Sequence, residues 1–179
     1  MSRSRLLLWV PVAVVLGVVS LWAAGPTVAA VPLLYLAVVT PELVRIDMAE
    51  HRLPNRIVLP GLAFAVVGVV GSLAVSTRLP VAPLIAGVVS FVVMLLLAAV
   101  GGMGMGDVKL AAVLGLSSFT ASLAVLWPVI AFLVGGVVSA VLLARGRRGQ
   151  RIAFGPYLLL GFWVAVALVP LVRSPGASA

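Results

Sequence analysis

Residues 101–109 read GGMGMGDVK and interrupt an otherwise apolar sequence with four glycines, one carboxylate and one ammonium group. Apolar runs lie on both sides of this stretch, over residues 81–100 and from residue 110 onward. A charged side chain at the centre of a membrane helix costs on the order of 2.5–3.5 kcal/mol on insertion scales. An acid placed so close to hydrocarbon needs a reason, and Asp107 is therefore a candidate functional residue.

The composition around this stretch is that of an integral membrane protein. The 179 residues are 64% hydrophobic and 9% charged, with a mean hydropathy of +1.33. Soluble domains are about half apolar and about a quarter charged. A membrane span needs about 20 apolar residues, so residues 1–179 predict a single membrane domain. The predicted class is an all-α polytopic helix bundle with about seven transmembrane helices, or six if the short fifth helix does not span.

The predicted elements follow from the apolar runs and the breaks between them. The first run could belong to a signal peptide, but at about 19 residues it exceeds the usual 7–15, which favours a retained span. Asn55 is a good N-cap residue for the third span, and the glycines within that span favour close helix packing. The predicted spans are residues 6–24, 28–46, 57–76, 81–100, 123–144 and 154–172, with a short fifth helix over residues 107–118.

The basic residues indicate the orientation of these spans. With seven spans and a cytoplasmic N-terminus, ten of the 12 lysines and arginines fall on the cytoplasmic side, which is a strong positive-inside bias. The two exceptions are Arg78 and Arg173. This distribution also explains the net charge of +8 without nucleic acid as a partner. The ten are Arg3, Arg5, Arg45, Arg52, Arg56, Lys109, Arg145, Arg147, Arg148 and Arg151.

Two of the four acids are expected at the same membrane face. Asp47 follows the second span and Asp107 follows the fourth, so two spans separate them. An even number of crossings returns the chain to the face that it left. Two neighbouring carboxylates cannot both ionise easily, and the pair tends to share a proton. One group can then activate water while the other polarises a peptide carbonyl, without a metal or cofactor.

The glycines before Asp107 admit two interpretations. Gly101, Gly102, Gly104 and Gly106 carry no Cβ, so they allow positive φ angles and close approach of a substrate backbone. They could instead form only a flexible turn between two helices. With Asp107 and Lys109 attached, the functional interpretation is favoured. No strand precedes the stretch, so it is not a dinucleotide fingerprint.

These residues resemble a known family. GMGMGDVKLAAVLG, residues 102–115, is similar to the GxGD motif of the type IV prepilin peptidases. IDMAEHRLPN, residues 46–55, resembles the other aspartate motif of that family, and FGPY, residues 154–157, resembles the segment that opens its last helix. The resemblance covers about residues 31–168.

The resemblance implies an aspartic endopeptidase with Asp47 and Asp107 as its catalytic pair. Gly104 and Gly106 would shape the site or bind substrate, and Lys109 would support it. The implied partners are pilin-like precursors, cut after a glycine between a basic leader and a hydrophobic helix. The implied location is the cytoplasmic membrane of a bacterium or archaeon, with the lipid bilayer around the helices and the N-terminus and site on the cytoplasmic side.

One departure from the larger family members changes the expected activity. Those members carry a cytoplasmic region with paired cysteines and also N-methylate the new N-terminus, whereas this sequence has no cysteine. The resemblance therefore implies peptidase activity without methyltransferase activity. No cofactor is expected, and no metal site is predicted, since cysteine is absent and His51 is the single histidine. His51 is more simply a solvated loop residue.

Two rival functions remain open at this point. Presenilin-type proteases share the GxGD motif, but they place a Tyr-Asp pair in the partner helix, whereas Asp47 here follows Ile46. A small transporter could use the two aspartates as a proton or cation site, although such sites usually lie near the bilayer midplane between repeats. Glu42 either pairs with Arg45 three residues later or faces the site.

Overall fold

The protein is a bundle of seven α-helices. Its structure, a computed structural model, describes residues 3–101, 103–145 and 153–172. Within these ranges no strand is formed, which confirms the predicted all-α class and the number of helices. The helices are α1 (Arg3–Ala24), α2 (Ala30–Glu50), α3 (Asn55–Ser76), α4 (Val81–Gly101), α5 (Met105–Leu116), α6 (Ala121–Ala144) and α7 (Gly155–Val172).

Four helices are long and apolar enough to cross a membrane, namely α3, α4, α6 and α7. The apolar segment of α1, Trp9–Ala24, is shorter. Only 17–22% of the apolar windows of α3, α4 and α6 is buried inside the bundle. The remaining apolar side chains of these helices face outward, as expected for a bundle that is surrounded by lipid rather than water. The protein is a membrane protein of the polytopic helical type.

The short helix α5 lies inside the bundle. Its 12 residues rise about 18 Å, which is less than the roughly 30 Å of a hydrocarbon core. It packs against α3, α4 and α7, and most of its side chains are buried. Apart from Asp107 and Lys109 its side chains are apolar, and an enclosed position removes them from water. The helix that carries Asp107 therefore lies between α3, α4 and α7.

Two helix boundaries near the candidate site differ from the predicted ones. The predicted end of the second span at residue 46 is wrong. Helix α2 continues to Glu50, and Asp47 lies in its last turn. His51 then ends the helix in the left-handed conformation, with φ 52°. Helix α5 begins at Met105, two residues before the predicted start. Both aspartates are thus held on helices, which fixes their side chains more firmly than a loop does.

The predicted role of Asn55 as the N-cap of α3 is wrong. Helix α3 begins at Asn55 itself, and Pro54 occupies the cap position in extended conformation. Pro54 has the fixed φ that suits this position, and the Asn55 side chain is instead engaged by Lys109. This contact joins the two aspartate motifs, residues 46–55 and residues 102–115, which are distant in sequence.

Glycines bring neighbouring helices into close contact, as predicted for α3. A Cβ at Gly61 would lie 3.2 Å from the Tyr35 ring, and one at Gly68 would lie 3.0 Å from Pro32, both on α2. A Cβ at Gly115 of α5 would overlap the Ala86 carbonyl oxygen of α4. Small residues allow this approach between apolar helices, and they set the position of α5 between its neighbours.

Some predicted features fall outside the described residues. These are Gly102 in the glycine stretch, residues 146–152 with three of the arginines counted on the cytoplasmic side, residues 173–179 with Arg173, and the first two residues.

Candidate active site

Asp47 is buried at the C-terminal end of α2. Its side chain is 3% exposed, and its Oδ2 atom accepts a hydrogen bond of 2.9 Å from the backbone N–H of Gly155. Gly155 is the first residue of α7, 108 positions away in sequence. The C-terminal end of α2 and the N-terminal end of α7 therefore meet at one end of the bundle.

Asp107 is buried in the first turn of α5. Its residue is 8% exposed, and its Oδ1 atom is buried without a hydrogen-bond partner. The backbone of Gly104, the residue that precedes α5, contributes a hydrogen bond to the carboxyl group. An acid at the third helical position commonly reaches back to the cap residue in this way. A buried polar atom without a partner is costly for the fold, so the unpartnered Oδ1 atom needs another explanation.

The charge of Asp47 acts on the carboxyl group of Asp107. Both lie outside the four helices that can cross a membrane. Burial and the nearby charge of Asp47 together raise the pKa of Asp107 to about 7, against the opposing effect of the Gly104 backbone. Burial also raises the pKa of Asp47, while the Gly155 N–H and the charge of His51 oppose that rise. Near neutral pH the Asp47–Asp107 pair therefore keeps a proton that isolated aspartates would have lost.

The raised pKa of Asp107 predicts a pH-dependent stability. An unfolded aspartate ionises near pH 4, so between that pH and about 7 the folded chain holds a proton that the unfolded chain has lost. Folding stability therefore falls as pH rises through this window, by on the order of 2 kcal/mol between pH 5 and pH 7.

We expect Asp107→Asn, which stays neutral, to remove most of this dependence of stability on pH. Thermal unfolding of purified protein in detergent at pH 5 and pH 8 measures it, with Glu50→Gln as the control; equal slopes in the wild type and Asp107→Asn would contradict the prediction.

The glycines before Asp107 do not all act as predicted. Gly104 has φ −68° and ψ 140°, which any residue adopts, and Gly25 is the one glycine with positive φ among the described residues. The expected positive φ is thus not seen at Gly104 or Gly106. Close approach is seen at Gly106, where a Cβ would lie 2.9 Å from the Leu53 Cβ and 3.1 Å from the Leu53 N. Gly106 therefore allows the loop after α2 to lie against the start of α5.

Lys109 connects the two aspartate-bearing segments from the other side of α5. Its Nζ donates a hydrogen bond of 3.0 Å to Oδ1 of Asn55, at the exposed surface. Residues two apart on a helix point about 200° apart, so Lys109 points away from Asp107. This contact joins the start of α3 to the start of α5 and is compatible with the supporting role that was predicted for Lys109.

A double-mutant cycle tests the coupling between Lys109 and Asn55. We expect Lys109→Ala and Asn55→Ala each to lower thermal stability, and the double variant to lose little more than either single variant. The expected coupling is about 0.5–1.5 kcal/mol, because the pair is exposed and screened by water. Unfolding of the four proteins in the same detergent gives this value, and strictly additive losses would show that the contact does not couple the two helices.

The other acids of the chain are engaged in surface ion pairs. Arg45 forms a bidentate contact with Glu42, with a shortest distance of 2.7 Å, which confirms the pairing predicted at i+3. Arg52 contacts Glu50 at 2.8 Å. His51 is exposed, as predicted. Asp47 and Asp107 are thus the two acids of the sequence that the fold buries.

Gly155 and Leu53 are two neighbours of the aspartates that the sequence analysis did not place in the site. A Cβ at Gly155 would lie 2.7 Å from Oδ2 of Asp47 and 3.4 Å from Cδ1 of Leu53. Leu53 is also the residue that meets Gly106, so it lies between the surroundings of both aspartates. The FGPY and LPN segments were the available signals, but nothing in their composition shows which atoms they approach.

Comparison with known families agrees with this arrangement. The family model of the type IV leader peptidase family matches residues 34–144, which is more than half of the chain and includes Asp47 and Asp107. The chain belongs to this family. It is therefore a membrane peptidase of the leader peptidase type, a family that processes pilin-type precursors. No curated protein matches the chain, and no solved structure matches it.

The surroundings of this leader peptidase's two aspartates contain few other candidate ligands. Among the residues that the structure describes, no three histidine, aspartate or glutamate side chains gather into a possible metal site. The matched family region ends before Gly155, so the contact between Gly155 and Asp47 is an observation of the structure alone.

Proposed function

We propose that this leader peptidase is an aspartic endopeptidase in which Asp47 and Asp107 cut the peptide bond. The observation that carries the proposal is the burial of these two acids, from separate motifs, at one end of the bundle, with Oδ1 of Asp107 unpartnered. A buried acid without a partner is costly for the fold. Its retention beside a second acid is accounted for by a reaction that needs a shared proton.

The pair supplies both proton transfers of hydrolysis. One carboxylate removes a proton from water, whose oxygen then attacks the carbonyl carbon of the scissile bond, while the other carboxyl group donates its proton to the carbonyl oxygen. The resulting diol then collapses. The proton taken from water passes to the leaving nitrogen, a diol hydroxyl returns a proton to the second carboxylate, and the C–N bond breaks. The pair ends in its starting protonation state.

The proposed substrate is a pilin-like precursor with a basic leader and a hydrophobic helix, cut after a glycine at the cytoplasmic face. The placement of both aspartates at one end of the bundle supports a bond that lies at the membrane boundary, where a precursor helix leaves the bilayer. The positive-inside bias of the sequence supports the cytoplasmic side for that end. Family membership favours this function over a transporter.

A cleavage assay tests the proposal. The chain is co-expressed with a pilin-like precursor from the same genome, and leader removal is followed by gel shift and N-terminal sequencing. We expect a new N-terminus directly after a glycine. We also expect that N-terminus to be unmethylated, which the product mass shows. Folded wild-type protein that cleaves none of several such precursors, or a cut within the hydrophobic helix, would overturn the proposed function.

The proposed mechanism also predicts insensitivity to chelators. Purified protein incubated with EDTA or 1,10-phenanthroline is expected to cleave precursor at a rate within about twofold of the untreated rate, since two carboxyl groups need no metal to activate water. A loss of activity that added divalent metal restores would contradict the aspartic mechanism.

A further inference from the structure

The backbone N–H of Gly155 donates a hydrogen bond to one of the two aspartates. It donates a 2.9 Å hydrogen bond to Oδ2 of Asp47, in a buried position. As the first residue of the 18-residue helix α7, Gly155 also places the positive end of that helix's dipole at the same carboxyl group. The Asp107 carboxyl group also has a backbone hydrogen bond, from Gly104 at the start of α5, but its Oδ1 atom has no partner. Each acid is thus contacted by one backbone group, and of the two only Asp107 has a buried oxygen without a partner.

The contact depends on the absence of a side chain at position 155. A Cβ there would lie 2.7 Å from Oδ2 and 3.3 Å from Cγ of Asp47, as well as 3.4 Å from Cδ1 of Leu53. The described backbone of Gly155 has no positive φ, so conformation does not require glycine. Glycine is required for space instead, because a side chain at position 155 would collide with the Asp47 carboxyl group.

We propose that Gly155 is a positioning residue that holds Asp47 as the carboxylate which deprotonates water, leaving Asp107 as the carboxyl group that protonates the peptide oxygen. This inference rests on the proposed function and assigns a direction to its proton transfers. A hydrogen bond from an N–H stabilises a carboxylate more than a neutral carboxyl group. The unpartnered Oδ1 of Asp107 is the atom available to carry the donated proton.

The other charges around the two acids act in the same direction as the Gly155 N–H. The charge of Asp47 disfavours ionisation of Asp107 on α5, and His51, which follows α2, favours ionisation of Asp47. Lys109 on α5 is directed to Asn55, and Arg56 near the start of α3 is exposed. The side chains described in α1 and those of Gly155–Val172 in α7 carry no charge. The Gly155 N–H is the larger of the two effects that favour ionisation of Asp47, ahead of the charge of His51.

The first test compares Gly155→Ala with Gly136→Ala across a pH series. A Cβ at Gly136 of α6 would meet nothing within 4 Å, so Gly136→Ala controls for the change of residue type in a helix. We expect Gly155→Ala to lower kcat about 100-fold and to leave KM for the precursor within about twofold. The acidic limb of its kcat/KM profile, which reports ionisation of the base, is expected to move up by about one pH unit.

A second variant removes the donor without adding a Cβ. Incorporating glycolic acid at position 155 replaces the backbone N–H by an ester oxygen, and we expect the same upward shift of the acidic limb. This variant decides the question if Gly155→Ala does not fold.

The outcomes separate this inference from the proposed function. An upward shift of the alkaline limb with an unchanged acidic limb would show that Asp47 is the proton donor, and would overturn the assignment. If the pH profiles of kcat/KM are unchanged in the variants at position 155, or if the rate falls equally at every pH, Gly155 has only a structural role. Wild-type protein that cleaves no precursor would instead overturn the proposed function itself.

Discussion

Asp47→Asn and Asp107→Asn are each expected to reduce kcat/KM for precursor cleavage by about 10²–10⁴-fold. Each change keeps the size of the side chain but removes one of the two groups that exchange protons during hydrolysis. Asn at position 107 is neutral, as the protonated acid is, so the folded structure is expected to persist. Initial rates with purified protein and a synthetic precursor in mixed micelles give the ratio.

The double variant sharpens this prediction. If the two acids work as one unit, Asp47→Asn combined with Asp107→Asn loses little more activity than either change alone, because catalytic groups that act together are not additive. Independent contributions would instead multiply the two losses. The residual rate of the double variant therefore distinguishes a catalytic pair from two separate supporting residues.

The sequence offers a matched control for both changes. Its other two acids are Glu42 and Glu50, which form exposed ion pairs with Arg45 and Arg52. Exposed pairs contribute little to stability, so Glu42→Gln and Glu50→Gln are expected to keep rates within about threefold of the wild type. Wild-type rates in a well-folded Asp47→Asn or Asp107→Asn variant would exclude that residue from catalysis.

Gly106→Ala is expected to lower kcat by about 100-fold. The added Cβ would lie 2.9 Å from the Leu53 Cβ and 3.1 Å from its backbone N, and backbone atoms cannot move aside as a flexible side chain can. The loop between α2 and α3 or the start of α5 must therefore shift. A displacement of about 1 Å between catalytic groups costs on the order of 100-fold in rate. Cleavage kinetics together with thermal unfolding measure the effect.

Gly104→Ala is the matched control from the same motif. A Cβ at Gly104 would have ordinary contacts, the nearest being Oδ2 of Asp107 at 3.6 Å, and its φ and ψ suit alanine. We expect a rate within about threefold of the wild type, since the Gly104 backbone keeps its contact with the Asp107 carboxyl group. If Gly104→Ala and Gly106→Ala lose equal cleavage rate, the motif is needed for chain flexibility and not for the contact with Leu53.

Several features of the fold were predictable because they depend on composition and chain order. Long apolar runs place helices in a membrane whatever their neighbours are, and the predicted helices are found with shifts of a few residues at their ends. The pairing of Glu42 with Arg45 was predictable because residues three apart on a helix are neighbours. The end of α2 was misplaced because Asp47 and the residues after it look polar enough for a loop.

The sequence by itself determined the helical membrane class and the family-like motifs, and it predicted the return of Asp47 and Asp107 to one face. These follow from hydropathy and from the parity of crossings, which are properties of the chain read in order. Only the tertiary structure decided which atoms meet: Gly155 with Asp47, Gly106 with Leu53, and Lys109 with Asn55. Such contacts depend on how apolar helices rotate and approach one another, and glycines at the contacts leave no side-chain pattern from which the partner could be inferred.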